Sequence, residues 1–143
     1  MSPAAASTVF EQIANACPLS NYQNKKLLMI VPDGTRTAPV GMMFQTVFEH
    51  LGPVASAIDV MIALGTHPPM SDEAIFQRLE ISAADRESTY RNVRFFNHEW
   101  HNPTTLKRIG IIPAEEIREL SNGLFSMDVP VEVNKRVFDY DTL

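Results

Sequence analysis

Two short loops carry the side chains best suited to chemistry, and the first spans residues 31–39. It places the Asp33 carboxylate, the Thr35 hydroxyl and the Arg36 guanidinium within four residues, with Gly34 to let the backbone bend. A planar guanidinium can bind a carboxylate through two parallel hydrogen bonds, so Arg36 is a candidate site for a small organic anion. The alternative is a local ion pair between Asp33 and Arg36 that shapes the loop.

The second loop, residues 65–70, begins with Gly65, Thr66 and His67. An imidazole takes and returns a proton near neutral pH, which makes His67 a candidate general base. The prolines at positions 68 and 69 restrict the backbone after His67 and would fix the direction of its ring. The alternative is a loop histidine that caps the next helix or binds nothing.

A third polar group, Asn97, His98 and His101, follows a later apolar run. Histidines at this spacing occur in metal sites, but such a site needs further ligands, and the sequence nearby offers none. Polar loop residues are therefore the favoured interpretation, with Asn97 and His98 as candidates to border the same cleft. A metal-dependent hydrolase using His67, His98 and His101 is kept as an alternative, and we assign no metal ligand.

Each of the first two loops follows a continuous apolar run, residues 26–31 and 58–64, and precedes a helix. Uninterrupted apolar runs of this length are typical of strands buried on both faces of a parallel sheet. Open α/β sheets bind ligands at the carboxyl ends of such strands, so we expect the two loops to meet there. We place Asp59 near the start of the second strand rather than in the buried interior.

The helix after the first loop is predicted from apolar residues that recur at i, i+3, i+4, i+7, i+8 and i+11. These residues are Val40, Met43, Phe44, Val47, Phe48 and Leu51. Met42 and Met43 are expected to fill gaps in or near the core. Ser71 and Ser82 are candidate N-caps of two further helices. Residues 1–7 are unpatterned and are expected to be disordered, with a short helix over residues 8–16.

Three more strands are predicted, at residues 93–96, 104–112 and 129–133, with a short helix that begins at Pro113 and ends at Asn122 and Gly123. An alternation of strands and helices indicates an α/β fold. We expect a mostly parallel or mixed sheet with helices on its faces, in a Rossmann-like layering.

Composition narrows the class of protein and the kind of partner. The 143 residues carry a formal charge of −5, which argues against a nucleic-acid interface, and the single cysteine, Cys17, excludes an internal disulfide. No apolar run approaches the roughly 20 residues of a membrane span, and the start lacks the basic region of a signal peptide. We therefore expect no nucleic-acid or membrane partner and a cytoplasmic location.

Four segments, in this order, resemble motifs of the nickel-dependent lactate racemase family and cover roughly residues 26–143. Residues 33–39 match its D-x-T-R-x-x-P motif, and residues 65–70 are similar to its G-T-H-R-P-M segment. Residues 97–99 are similar to its N-H-D, and residues 129–134 with Asp141 are similar to its P-V-x-V-N…D stretch. Pro68 and Glu99 depart from the pattern, which leaves room for a 2-hydroxy acid other than lactate.

The resemblance implies a 2-hydroxy-acid racemase or epimerase that uses a nickel-pincer nucleotide, a pyridinium mononucleotide with two thio-acyl arms. In that family a histidine takes the hydroxyl proton while the C2 hydride moves to the cofactor. By motif, His67 would be one of two catalytic, proton-transferring histidines, the second lying beyond this chain, and Arg36 and Thr66 would bind the substrate. The residues that would bind the cofactor or orient Arg36 are Asp33, Thr35 and Gly65.

The resemblance also implies how the chain is organised. Residues 1–25 would form a flexible N-terminal segment and short helix, and residues 26–143 an N-terminal catalytic α/β domain that is incomplete at its C-terminal end. Its partners would be a small 2-hydroxy acid and a missing C-terminal portion of a larger two-domain enzyme, so the fragment alone would be inactive. A homo-oligomer remains open. The rival is a non-catalytic domain that binds a small organic anion through Arg36.

Overall fold

The computed structural model describes residues 3–143, with side chains from Thr8 onward; Met1 and Ser2, part of the segment expected to be disordered, lie outside it. Over that range helices and strands alternate. The helices are α1 Pro3–Ala16, α2 Val40–Leu51, α3 Asp72–Arg78, α4 Ala83–Glu87 and α5 Ala114–Leu120. The strands are β1 Lys26–Pro32, β2 Ala57–Ala63, β3 Phe95–Asn97, β4 Leu106–Ile112 and β5 Val129–Asn134. Helix α1 thus begins five residues before its predicted start.

The first three strands form a parallel sheet in the order β1-β2-β3. Strand β2 lies in the middle, and its residues Val60 and Ile62 are completely buried, as its continuous apolar sequence predicts. Pro32 pairs with Ala63 and Ile62 with Asn97, so all three strands end at one edge. The predicted α/β fold with helices and parallel strands is confirmed.

Helix α2 packs the centre of the core against this sheet. Phe44 is fully buried and lies in one apolar cluster with residues of β1, β2 and α3. The apolar face predicted for α2 is therefore correct at its centre. It is wrong for Met43, which is 40% exposed because the i+3 position lies at the margin of the face. No helix in residues 3–143 has the length and apolar content needed to cross a membrane.

Strands β4 and β5 form a separate antiparallel pair, with α5 in the connection between them. The register shifts between Arg108 and Gly110, and both strands keep large parts of their surfaces exposed. After β5 the chain returns to the main sheet. Thr142 forms a parallel bridge with Leu27, next to β1 on the side away from β2.

Asp59 lies near the start of β2, as predicted, but it is buried, 1% exposed, so the expectation that it avoids the interior is wrong. Arg94 donates to this carboxylate from its backbone N–H at 2.8 Å, from Nε at 2.9 Å and from Nη2 at 2.5 Å. The Tyr140 hydroxyl donates at 2.7 Å. A buried carboxylate is tolerated when it is paired and hydrogen-bonded in this way. Burial and the bond to Asp59 raise the pKa of Tyr140 to about 12, so its hydroxyl stays protonated.

Removing this carboxylate should destabilise the protein. Asp59→Ala leaves the Arg94 backbone N–H and the Tyr140 hydroxyl without their acceptor. We therefore expect the free energy of unfolding to fall by about 2 kcal/mol. Urea unfolding followed by circular dichroism measures it. Asp139→Ala removes an exposed carboxylate and serves as the control, with an expected change within about 0.5 kcal/mol. Equal losses in the two variants would contradict a structural role for Asp59.

Candidate functional site

The two loops meet at the carboxyl edge of the parallel sheet, because β1 and β2 end at paired residues. Between them lies an open cleft of about 490 Å³. It is lined by all six residues that the sequence singles out for substrate, proton transfer or cofactor: Asp33, Thr35, Arg36, Gly65, Thr66 and His67. Their proposed roles stay predictions, but the structure does bring them together.

Asp33 is the most constrained of these residues, since it is only 5% exposed. Its Oδ1 accepts hydrogen bonds from the Thr35 backbone N–H at 3.0 Å and from the Thr35 hydroxyl at 2.5 Å. Its Oδ2 lies 2.5 Å from Nδ1 of His67. The hydrogen bonds from Thr35, followed by the one from His67, lower the pKa of Asp33 to about 2. The carboxylate is therefore ionised at neutral pH.

His67 has its ring held at one side and open at the other. Nδ1 faces Asp33, yet the side chain is 51% exposed to the cleft and solvent. The backbone is fixed as well: its N–H donates to the Leu64 carbonyl at 3.0 Å, and its carbonyl accepts from Nε1 of Trp100 at 3.4 Å. Gly65 turns the loop with a φ of +59°, which an L side chain rarely adopts.

Arg36 has a fixed backbone and a free guanidinium. Its carbonyl accepts hydrogen bonds from Nη2 of Arg78 at 2.8 Å and from the Ala38 N–H at 3.1 Å. The side chain is exposed, and within residues 3–143 it has no hydrogen-bond or ion-pair partner. The local ion pair with Asp33 that the sequence left open is therefore wrong, because Asp33 bonds to Thr35 and His67 instead.

Three residues support the site without having been assigned a part in it. Arg78 on α3 anchors the Arg36 loop, and Trp100 anchors the His67 loop. Asn97 exchanges two hydrogen bonds with the backbone of Met70, at 3.0 and 2.9 Å, and so fastens the end of the second loop to β3. Only Asn97 carried a sequence signal, its place at a strand end; Arg78 and Trp100 act across distances in the chain that no local pattern encodes.

The histidines of the metal alternative lie apart. His98 faces β5, where its Nδ1 lies 3.1 Å from Nδ2 of Asn134, rather than the cleft. The ring of His101 contacts the ring of Trp100, and His67 is paired with Asp33. In the part of the chain that the structure describes, no three His, Cys, Asp or Glu side chains are grouped to hold a metal ion. The geometry that a hydrolase with these three histidines requires is not found.

Comparison with known proteins finds a similar solved structure and a matching family model. A crystal structure of a protein from Thermotoga maritima has a TM-score of 0.81 to this chain at 27% sequence identity. The match covers 95% of this chain and 31% of that chain, so this chain spans about a third of its structural relative's length. No curated protein is significantly similar to the sequence. The family model described as the lactate racemase N-terminal domain matches residues 4–143. The chain therefore belongs to the lactate racemase N-terminal domain family.

Proposed function

We propose that the chain forms part of a 2-hydroxy-acid racemase or epimerase. In this proposal Arg36 binds the substrate carboxylate and His67 exchanges the proton of the substrate hydroxyl. The observation that carries it is that the guanidinium of Arg36, unpaired within the described chain, and the half-exposed, oriented imidazole of His67 both line a single cleft. Membership of the lactate racemase N-terminal domain family supports the class of reaction.

Arg36 is suited to hold a carboxylate because no acidic group within the described chain neutralises its charge. The loop around it is anchored by Arg78, so little backbone order has to be gained when an anion binds. A guanidinium and a carboxylate can form two parallel, charge-assisted hydrogen bonds, which fix orientation as well as position. The exposed hydroxyl of Thr66, on the opposite wall, is proposed to donate to the same substrate.

His67 is suited to proton transfer because its ring nitrogens have different surroundings. Nδ1 faces a carboxylate, and no described residue bonds to Nε2. We propose that Nε2 removes the proton from the hydroxyl of one enantiomer, and that a second proton-transferring histidine in the rest of the enzyme serves the hydroxyl of the other enantiomer. Arg36 holds the carboxylate throughout, so the substrate carbon can become planar and be rebuilt in the opposite configuration without the acid leaving the cleft.

The cofactor proposed here is the nickel-pincer nucleotide, which when bound supplies the acceptor for the hydrogen and electron pair that leave C2. The space beside Gly65 is open, since a Cβ built there would meet nothing within 4 Å, so this loop leaves room for a neighbouring group. We propose that Gly65, Thr35 and Asp33 line the nucleotide. We assign no residue of this chain as the nickel ligand and propose that this ligand belongs to the rest of the complete enzyme.

The partners follow from the open shape of the cleft. Both of its walls belong to loops of one sheet edge, and the side facing away from the sheet is open. We propose that a C-terminal portion of the enzyme covers it and serves the opposite face of the substrate. We further propose that the enzyme works in the cytoplasm and that residues 26–143 act as its N-terminal catalytic domain, preceded by the segment of residues 1–25.

The role of Arg36 can be measured through substrate affinity. In the complete, cofactor-loaded protein, Arg36→Ala should raise the KM for D-lactate about 10- to 100-fold, because a hydrogen bond to a charged group is lost. The interconversion of D- and L-lactate is followed by chiral chromatography. Arg91→Ala removes an exposed arginine outside the cleft and is the control. A KM equal to that of the control would remove Arg36 from the site.

The role of His67 can be measured through turnover. His67→Ala should lower kcat for the same interconversion by about 10²- to 10⁴-fold, the usual contribution of a general base. KM should change little, because Arg36 still holds the carboxylate. His50→Ala is the matched control, since that histidine contacts the Cys17 carbonyl and lies outside the cleft lining. An undiminished kcat in His67→Ala would show that another group moves the proton.

The rival function is a binding domain that needs no cofactor, and the free guanidinium of Arg36 is the observation in its favour. Titration calorimetry of the 143-residue chain with D- and L-lactate separates the two. A racemase part should show no measurable binding, because the covering portion and the cofactor are missing. Binding that disappears in Arg36→Ala would favour the rival.

A further inference from the structure

We propose that Asp33 is a positioning residue for His67, which holds the imidazole in the tautomer that has its proton on Nδ1 and leaves Nε2 free. The role of this tautomer in turnover rests on the proposed function. The tautomer itself depends only on the geometry of the two loops.

Both oxygens of the Asp33 carboxylate have hydrogen-bond partners. Thr35 occupies Oδ1 of Asp33 with two donors, its N–H and its hydroxyl. Oδ2 faces Nδ1 of His67 at 2.5 Å. An ionised carboxylate accepts hydrogen bonds and donates none, so the proton of this bond belongs to Nδ1. A neutral imidazole carries one N–H, and Nε2 therefore keeps its lone pair.

The ionised state of Asp33 is secured by the same contacts. Donors on both oxygens favour the charged form, and the pKa of Asp33 is lowered to about 2. Asp33 is only 5% exposed, so water competes little for these hydrogen bonds. A buried, fully bonded carboxylate of this kind holds a neighbouring ring in one orientation.

The positioning also suits the proton-transfer step. When the substrate O–H bond breaks, its proton forms a new bond to the Nε2 lone pair, and the ring becomes an imidazolium. The Nδ1 proton stays in place, and Asp33 remains a carboxylate that compensates the new positive charge. When Nε2 returns the proton, the ring recovers the same tautomer and is ready for another turnover.

The first experiment reads the tautomer directly. Long-range proton–nitrogen NMR correlation on the histidine-labelled 143-residue chain distinguishes Nδ1–H from Nε2–H, and His67→Ala identifies the signals of His67. In the wild-type chain we expect Nδ1–H. In Asp33→Asn, which has the same shape, the amide can donate to Nδ1, and we expect Nε2–H. Asp139→Asn, an exposed carboxylate, should leave the wild-type tautomer.

The second experiment measures the effect of the tautomer on turnover. In the complete, cofactor-loaded protein, Asp33→Asn should lower kcat for lactate interconversion about 10²-fold or more, with the KM for D-lactate changed less than about 3-fold. Thr35→Val should lower kcat by a smaller factor, because it removes one donor to Asp33, and Thr35→Ser should restore it. A structural defect would instead move KM and thermal stability together.

The outcomes are separable. An Nε2–H tautomer in the wild-type chain, or an unchanged tautomer in Asp33→Asn, would overturn the proposal. A change in KM alone would also overturn it. The expected tautomers in a protein that interconverts no 2-hydroxy acid would support the positioning role and count against the proposed function only.

Discussion

The parallel register between β1 and β2 is the constraint on which the site depends. Pro32 lies opposite Ala63, so Asp33 and the loop of His67 leave the sheet side by side although 34 residues separate the two side chains. A slip of one residue would displace one loop by about 3.3 Å along the strand, which exceeds the length of their hydrogen bond. The contact between Asp33 and His67 therefore requires a sheet that holds one register.

The opposite end of the sheet is fixed through a buried charge. Asp59 in β2 accepts from the backbone and side chain of Arg94, while the Val60 N–H donates to the Arg94 carbonyl at 2.9 Å. These bonds fix the start of β3 against β2, and Tyr140 adds the segment that returns alongside β1. A shift of β3 against β2 would leave the buried Asp59 carboxylate without the Arg94 donors, which would destabilise the fold.

The sequence predicts those parts of the structure that local pattern controls. Continuous apolar runs identify β1 and β2, and the caps at Ser71 and Ser82 accept hydrogen bonds from N–H groups three residues on. The gathering of the cleft residues follows from the parallel pairing of β1 with β2. The burial of Asp59 could not be predicted, because its partners lie 35 and 81 residues away in the chain. The anchoring of Arg36 by Arg78 on α3 escaped prediction for the same reason.

The hydrogen-bond partner of Asp33 determines which side chains of the cleft remain unpaired. From the sequence, Asp33 can pair with Arg36 three residues on or with a group brought by the fold. In the structure Thr35 and His67 take both carboxylate oxygens. The positive charge of Arg36 is then not neutralised within the described chain, and it faces a cleft of a protein whose formal net charge is −5. The same pairing that orients the imidazole thus leaves the guanidinium without a partner in the described chain, so both roles that we propose for the site depend on one interaction.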